Sequence, residues 1–166
     1  MLISTKGRYA LRVMIDLAEH QADGFIPLKV IAQRQEISEK YLESIIKLLV
    51  RAKLLVGVRG KGGGYQLLKA PEQYTVESIL RVTEDSMAPV SCLNPGADGC
   101  PRSTECRTLP MWRELDKLIT EYFERISLAD LIHNVPDGDG ASGVTRTPDL
   151  LITKPIPASI HCSAMV

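Results

Sequence analysis

The stretch from Ile37 to Leu68, ISEKYLESIIKLLVRAKLLVGVRGKGGGYQLL, predicts a helix followed by a two-stranded hairpin. Ser38 is a good N-cap, because its hydroxyl can accept a hydrogen bond from a free backbone N–H in the first turn. Apolar residues then recur with the period of one buried helix face, namely Leu42, Ile45, Ile46 and Leu49. Strands are expected at 54–58 and 65–68, joined by a glycine-rich basic turn. This order is typical of a winged helix-turn-helix.

The polar face of this helix and the tip of the turn carry the residues that we expect to contact DNA. The helix face is rich in cations and donors that suit base edges and phosphates. The predicted contacts are Ser38, Lys40, Tyr41, Glu43, Ser44, Lys47, Arg59, Lys61, Gly62 and Gly63. The alternative is an ordinary helix with a flexible loop. A Walker-type phosphate loop is excluded, because Gly64 is followed by a strand and not by a helix.

Charge is unevenly distributed along the 166 residues, although the net charge is zero. Residues 1–70 carry a net charge of +6 and residues 71–166 a net charge of −6. A basic N-terminal half is expected of a nucleic-acid-binding protein. Near the chain start, Lys6, Arg8 and Arg12 either contact phosphate or are simply solvated. With no signal peptide and no apolar run of membrane-spanning length, we expect a cytoplasmic protein without a membrane segment.

The remaining periodicity predicts a mainly α fold with a small β-hairpin wing. Further helices are expected at 5–20, 28–35, 75–82 and 108–126, with a short apolar turn at 128–132. We interpret 1–70 as a winged helix-turn-helix DNA-binding domain and 71–133 as a cysteine loop with a long dimerisation helix. Residues 134–166 have no sustained periodicity and are expected to be disordered.

The long helix carries a short heptad seam. Its members are Trp112, Leu115, Ile119, Tyr122 and Ile126. The seam could pack on its own domain, but a second copy is the better expectation. Two recognition helices need a dimer to fix the spacing of half-sites, so we expect a homodimer on a pseudo-palindromic DNA duplex.

Three cysteines lie in the loop that precedes this helix. Cys92, Cys100 and Cys106 follow the spacing C-x7-C-x5-C among prolines and glycines. Soft thiolates select zinc or iron–sulfur clusters. Structural zinc sites usually show close cysteine pairs and four ligands, so the wide spacing favours an iron–sulfur cluster with a further ligand. Unliganded thiols are the alternative. The chain has no enzyme motif, and its three histidines are far apart in sequence, so we expect no enzyme.

Three segments together resemble the IscR-type transcription regulators, the cluster-sensing branch of the Rrf (type two) winged-helix family. They are ISTKGRYALRVMIDLA, PLKVIAQRQEISEKYLESII and VRGKGGGYQL, and the resemblance covers residues 1–133. It implies a dimer with a long interface helix and control of iron–sulfur cluster assembly genes. It places the family's recognition pattern at Ser38, Tyr41, Leu42 and Glu43, its wing arginine at Arg59, and its cluster ligands at Cys92, Cys100 and Cys106.

Two departures from the IscR pattern leave the cluster type open. Leu109 stands where IscR-type proteins have a histidine, and the first cysteine gap is two residues longer. Arg8 stands where NsrR-like nitric-oxide sensors have an acidic ligand. The resemblance favours [2Fe-2S], with [4Fe-4S] as the alternative. Iron-responsive or nitric-oxide-responsive regulators of the same family remain alternatives, whereas CymR-like members lack this cysteine set. From another class, a zinc or redox protein with a nucleic-acid-binding half also remains open.

Overall fold

The computed structural model describes residues 3–97 and 100–133, which form a mainly helical fold with one hairpin. Its helices are α1 (Thr5–Glu19), α2 (Leu28–Gln35), α3 (Glu39–Arg51), α4 (Val76–Thr83), α5 (Leu109–Arg125) and α6 (Leu128–His133). Its strands are β1 (Leu55–Val58) and β2 (Gly64–Leu67), and short 3-10 turns span Gln21–Asp23, Pro71–Gln73 and Ser91–Leu93. The predicted helices and strands are confirmed to within one residue at their ends. The tail predicted to be disordered, 134–166, lies outside the described residues.

Helix α1 is the central helix of the core. Its apolar stripe is almost completely buried and consists of Ala10, Val13, Met14 and Leu17. The helix packs against α2, α3, α4, α6 and β2. Each large apolar side chain buried in this way contributes about 1.5–3 kcal/mol to stability. Helix α1 therefore sets the positions of the helices around it.

One apolar core joins the first 70 residues to the segment that follows. Tyr74, Ile79 and Leu128 belong to the same buried cluster as the stripes of α1 and α3. The Tyr74 hydroxyl donates to the carbonyl of Leu54 at 2.9 Å and accepts from the backbone N–H of Lys69 at 2.7 Å. The second segment is thus attached directly to the base of the wing, where the two strands begin and end.

The wing is an antiparallel hairpin with an additional backbone pairing to the loop before α2. Ile26 and Tyr65 exchange two backbone hydrogen bonds, at 3.0 and 2.8 Å. A Cβ at Gly64 would lie 2.3 Å from the backbone of Ile26, so only glycine allows this approach. The pairing attaches the wing to the helix-turn-helix.

Helices α4 and α6 begin at adjacent points and are capped by side chains. Thr75 and Ser78 form a capping box at the start of α4. Asp130 accepts from the N–H and the hydroxyl of Ser127, whose hydroxyl accepts in return from the Asp130 N–H. Helix α5 packs against α4. Among residues 3–97 and 100–133, no helix is long and apolar enough to cross a membrane.

Candidate DNA interface and cysteine loop

Helix α3 presents the polar face that the sequence predicts for DNA contact. The Ser38 hydroxyl accepts a hydrogen bond from the backbone N–H of Tyr41 at 3.3 Å, which confirms Ser38 as the N-cap. The apolar stripe faces the core, and the predicted contact residues lie off this stripe, although Tyr41 also packs partly against the core. The exposed or half-exposed ones are Ser38, Lys40, Tyr41, Glu43, Ser44 and Lys47. They lie on an accessible surface.

The wing tip is exposed, and its backbone requires glycine. Gly60 and Gly62 have φ angles of 103° and 77°, a region that other residues rarely adopt. A Cβ at Gly63 would lie 2.3 Å from a carbonyl oxygen of β1. Arg59 and Lys61 are exposed on this tight turn. The tip therefore combines positive charge with closely accessible backbone.

A groove of about 480 Å³ lies between α3 and the wing. Glu43 and Lys47 line it from the helix, and Arg59 lines it from the wing. Side chains outside the predicted contact set also line it, namely Arg51, Val58 and Tyr65. The helical spacing places Arg51 on the same polar face, one turn beyond Lys47, although it is not among the predicted contacts. The predicted contacts that do not line the groove are Ser38, Lys40, Tyr41, Ser44, Lys61, Gly62 and Gly63.

An ion pair on α3 controls the charge of the groove's carboxylate. The ammonium of Lys47 lies 2.8 Å from a carboxylate oxygen of Glu43, one helical turn away. The hydrogen bond from Lys47, and then its charge, lower the pKa of Glu43. Glu43 therefore faces the groove as an anion at neutral pH.

Polar contacts around one buried carboxylate fix α1 against α2. Asp16 is 3% exposed, and it accepts from Arg34 at 2.8 Å and from the Gln35 amide at 3.1 Å. Arg12 donates to the Gln35 side chain at 3.1 Å and to its carbonyl at 2.9 Å. Glu36 then ends α2 in the left-handed region, with φ of 54°. These contacts hold the turn that leads into α3.

The cysteine loop, residues 84–107, carries the predicted metal ligands without assembling them. Cys92, Cys100 and Cys106 are free and half-buried. The Cys106 sulfur lies 3.4 Å from the Thr108 hydroxyl, and hydrogen bonds from this hydroxyl and from the Thr108 backbone lower the pKa of the thiol. Among the described residues, no three His, Cys, Asp or Glu side chains are gathered closely enough to hold a metal ion.

Glu84 connects the cysteine loop to the start of α1. It is the first residue after α4, and its carboxylate accepts from the Ser4 N–H at 3.1 Å and from the Ser4 hydroxyl at 2.7 Å. The Ser4 hydroxyl accepts in turn from the Gly7 N–H at 3.1 Å. A Cβ at Gly7 would lie 2.1 Å from the carboxylate oxygen, so a side chain there would displace Glu84. The two partners are 80 positions apart in sequence, which explains why no local pattern indicated the contact.

Helix α5 leaves an apolar stripe exposed. The stripe consists of Met111, Leu115, Leu118 and Tyr122, which are 55%, 38%, 46% and 52% exposed. Only two members of the predicted seam, Leu115 and Tyr122, belong to this exposed stripe. Trp112 and Ile119 are half-buried on a helix that packs against α4, and Ile126 ends the helix. The predicted seam and this stripe overlap, and burial of the seam between two chains stays a prediction.

Comparison with known proteins gives the family. The model of the Rrf2 family, described as iron-dependent transcriptional regulators, matches residues 3–134. The chain belongs to the Rrf2 family. It is 35% identical to the HTH-type transcriptional regulator IscR of Erwinia tasmaniensis over 153 residues, which covers 89% of this chain and 92% of the relative. It is 38% identical to the IscR of Aliivibrio salmonicida over 132 residues, covering 80% and 77%.

Solved structures of Rrf2-like proteins share the fold. CymR, the global cysteine regulator of B. subtilis, is 36% identical with a TM-score of 0.67, covering 82% of this chain and 99% of that one. T. potens IscR is 36% identical with a TM-score of 0.66, covering 86% and 94%. The winged-helix fold is thus confirmed. Because these relatives are transcription regulators, the expectation of a regulator and not an enzyme is confirmed as well.

Proposed function

We propose that this Rrf2 protein is a cytoplasmic homodimer that binds a pseudo-palindromic DNA duplex and senses an iron–sulfur cluster. The genes that it controls would be those for cluster assembly, as the relatives named IscR lead us to expect. The observation that carries the DNA-binding part is the groove in which the exposed face of α3 meets the basic wing. Two separate elements, each predicted to contact DNA, line the same surface.

The groove gives the two elements different tasks. Helix α3 has the size and the donor-rich face that a major groove accepts. Arg59 and Lys61 lie at the wing tip, where a narrow minor groove with its negative potential would attract them. Gly62 and Gly63 allow the wing backbone to approach a phosphate closely. In this proposal α3 reads bases while the wing supplies affinity.

The cysteine loop has the donor chemistry for the cluster. Cys92, Cys100 and Cys106 would hold it as thiolates, and none of them is tied up in a disulfide. When bound, the cluster supplies an iron centre that is sensitive to oxygen, nitric oxide and iron loss. Leu109 cannot coordinate, so the fourth ligand must come from another group, and we favour [2Fe-2S] over [4Fe-4S]. The three sulfurs are not gathered closely enough to hold a metal ion in this structure, so we expect cluster binding to rearrange the loop.

Glu84 offers a route from the cysteine loop to the DNA-reading half. If the loop closes around a cluster, it would move its first residue, Glu84. Glu84 accepts two hydrogen bonds from Ser4 and so holds the start of α1. Helix α1 packs against α3, so its displacement would change how the recognition helix is presented. The effect requires that the cluster bind one arrangement of the loop better than the other.

One anaerobic experiment tests this function. The purified protein should contain iron and sulfide, absorb visible light and lack zinc. Duplexes selected from a random library by cluster-loaded protein should be bound with different affinity, or different preference, by cluster-free protein at the same salt concentration. Replacing any one of Cys92, Cys100 and Cys106 by alanine should lower the iron content sharply while circular dichroism and oligomeric state stay unchanged.

Two results would contradict the proposal. A colourless protein that contains zinc would support the alternative of a zinc protein with a nucleic-acid-binding half. Equal affinity and equal site preference of the two forms would leave a DNA-binding protein without a cluster-controlled switch. If the switch exists but responds to nitric oxide or to iron supply alone, the alternative regulators of this family would be favoured.

A further inference from the structure

Helix α1 carries a small basic niche that lies outside the groove between α3 and the wing. The niche has a volume of about 170 Å³ and is lined by Thr5, Arg8, Tyr9 and Arg12. Both arginines are exposed, and Arg8 donates a hydrogen bond to the Thr5 hydroxyl at 3.2 Å. None of the described residues that line the niche is acidic. Its guanidinium groups and hydroxyls are the donors that an anionic oxygen requires.

One of the two cations is held in place before any ligand arrives. Arg12 donates two hydrogen bonds to Gln35, at 3.1 and 2.9 Å, and its guanidinium lies 5.1 Å from the centre of the Tyr9 ring. A guanidinium has five N–H donors, so several remain for a ligand. Because its side chain is already ordered, Arg12 loses little conformational freedom on binding.

The niche adjoins the end of α3 that would enter DNA. The Tyr9 ring packs edge-on against Tyr41, with ring centres 5.9 Å apart, and Tyr41 lies in the first turn of α3. In helix-turn-helix proteins this end of the recognition helix contacts bases, while the first helix of the motif, here α2, crosses the backbone. Arg12 is hydrogen-bonded to Gln35, the last residue of α2. The start of α1 is itself already occupied by the Ser4 hydroxyl and Glu84. The attraction for anions therefore comes from the two arginines.

We propose that this niche binds one phosphate of the DNA backbone beside the base pairs read by α3, with Arg8 as its main contact. The proposal rests on the DNA-binding part of the function above and adds a contact outside the ten predicted residues. Such a contact contributes affinity and register, but it carries no base preference of its own. Arg8 suits this role because its side chain is exposed and its one partner in the niche is a surface hydroxyl.

The test compares Arg8→Ala with Arg113→Ala, which removes the same charge from the exposed surface of α5. Affinity is measured by fluorescence anisotropy across a series of KCl concentrations, on a selected duplex and on a scrambled one. Arg8→Ala should lower the affinity for both duplexes by the same factor. It should also reduce the magnitude of the slope of log affinity against log salt by about 0.9. Arg113→Ala should keep the wild-type slope. Alanine is a strong helix former, so α1 should remain folded, as circular dichroism would verify.

A series of duplexes with one uncharged methylphosphonate each locates the contact. At one position flanking the selected site, the methylphosphonate should lower the DNA affinity of the wild-type protein but not that of Arg8→Ala. Identical slopes and identical methylphosphonate patterns would overturn the proposal, as would a loss confined to the selected duplex. Inorganic phosphate at constant ionic strength should not compete; Arg8-dependent competition would show a free-anion site instead. If wild type lacks selective binding altogether, the proposed function itself fails; if it binds selectively and Arg8→Ala matches it, only the niche fails.

Discussion

Glu43 is the one acidic side chain among the residues that line the groove between α3 and the wing. A carboxylate accepts a hydrogen bond from cytosine N4 but is repelled by phosphate, so in the proposed complex Glu43 would restrict which duplexes fit. Glu43→Ala should broaden the set of sequences bound without abolishing binding. Because Lys47 lowers the pKa of Glu43, the restriction should persist as the pH falls from neutral toward about 4.3, the ordinary glutamate value. Affinities for a panel of single-base variants measure this.

The matched control for this prediction is Glu39→Ala. Glu39 is an exposed acid in the first turn of the same helix and does not line the groove. Its removal changes the net charge equally and should leave the ranking of duplexes as it is in wild type. A uniform change of affinity across all duplexes in Glu43→Ala would show that Glu43 acts through charge or structure and not through base selection.

Tyr74 tests at the level of one residue whether the two segments share a core. The side chain is 1% exposed, and its hydroxyl satisfies the Leu54 carbonyl and the Lys69 N–H. Tyr74→Phe leaves both without this partner and should lower the free energy of unfolding by about 1–3 kcal/mol. Urea denaturation with an unchanged m-value measures the loss. Tyr65→Phe in the wing is the control. An equal loss of unfolding free energy in that variant would show that the Tyr74 hydroxyl contributes no more than that of Tyr65.

The pH dependence of this stability follows from the burial of Tyr74. Burial raises the pKa of its phenol, so the folded state keeps the proton that the unfolded chain releases near pH 10. The stabilisation is complete below the unfolded pKa and is lost as the pH rises through the folded pKa. The stability difference between wild type and Tyr74→Phe should therefore shrink at strongly alkaline pH.

At the scale of helices and strands, local pattern predicted most of the fold. Helical periodicity and capping residues such as Ser38 and Thr75 are local features, which explains why the ends of these elements agree to within one residue. The pairing of Ile26 with Tyr65 was not predictable, because it joins backbone groups that are far apart in sequence. The seam predicted on α5 stays a prediction. A heptad pattern shows that a face is apolar, but it cannot show which neighbour covers that face.

The candidate site was also only partly predictable from the sequence. Residue type and spacing identified the exposed face of α3, the wing tip and the three cysteines. They could not show that Glu43 and Arg59 line one groove, since tertiary packing brings the hairpin beside the helix. They also could not show that the three cysteine sulfurs are not gathered closely enough to hold a metal ion. Sequence pattern shows which side chains of one helix or strand face outward, whereas packing in the core decides which helices and strands lie side by side.

Glu84 gives the prediction that belongs to this scale, because it joins two elements. Glu84→Ala removes the acceptor for the N–H and hydroxyl of Ser4. We expect cluster content to remain at the wild-type level while the ratio of DNA affinities between loaded and cluster-free protein moves toward one. Anaerobic anisotropy with iron and sulfide analysis measures both quantities. Asp85→Ala, at the neighbouring exposed position, should keep the wild-type ratio. An unchanged ratio in Glu84→Ala would mean that the loop acts on α1 by another route.

At the scale of the whole molecule, the residues that the structure describes share an apolar core, and α5 leaves an apolar stripe exposed. The core includes α1, α3, Tyr74, Ile79 and Leu128, so the winged-helix segment folds together with α4 and α6. The stripe on α5 has the 4, 3, 4 spacing of a helix pairing surface. A second copy of the chain would cover it and place two α3 helices in one particle. This is the arrangement that a pseudo-palindromic duplex requires.

Leu118 is the residue that tests this assembly, because it lies in the stripe and is 46% exposed in the single chain. Leu118→Asp would place a charge in an apolar interface, which is costly, while the chain's own core stays intact. Sedimentation velocity at micromolar concentration should show a dimer for wild type and a monomer for the variant, with affinity for a two-half-site duplex largely lost. Lys117→Ala gives the same change in net charge on the adjacent exposed position and should remain a dimer. A monomeric wild type, or a dimeric Leu118→Asp, would assign the stripe to some other partner.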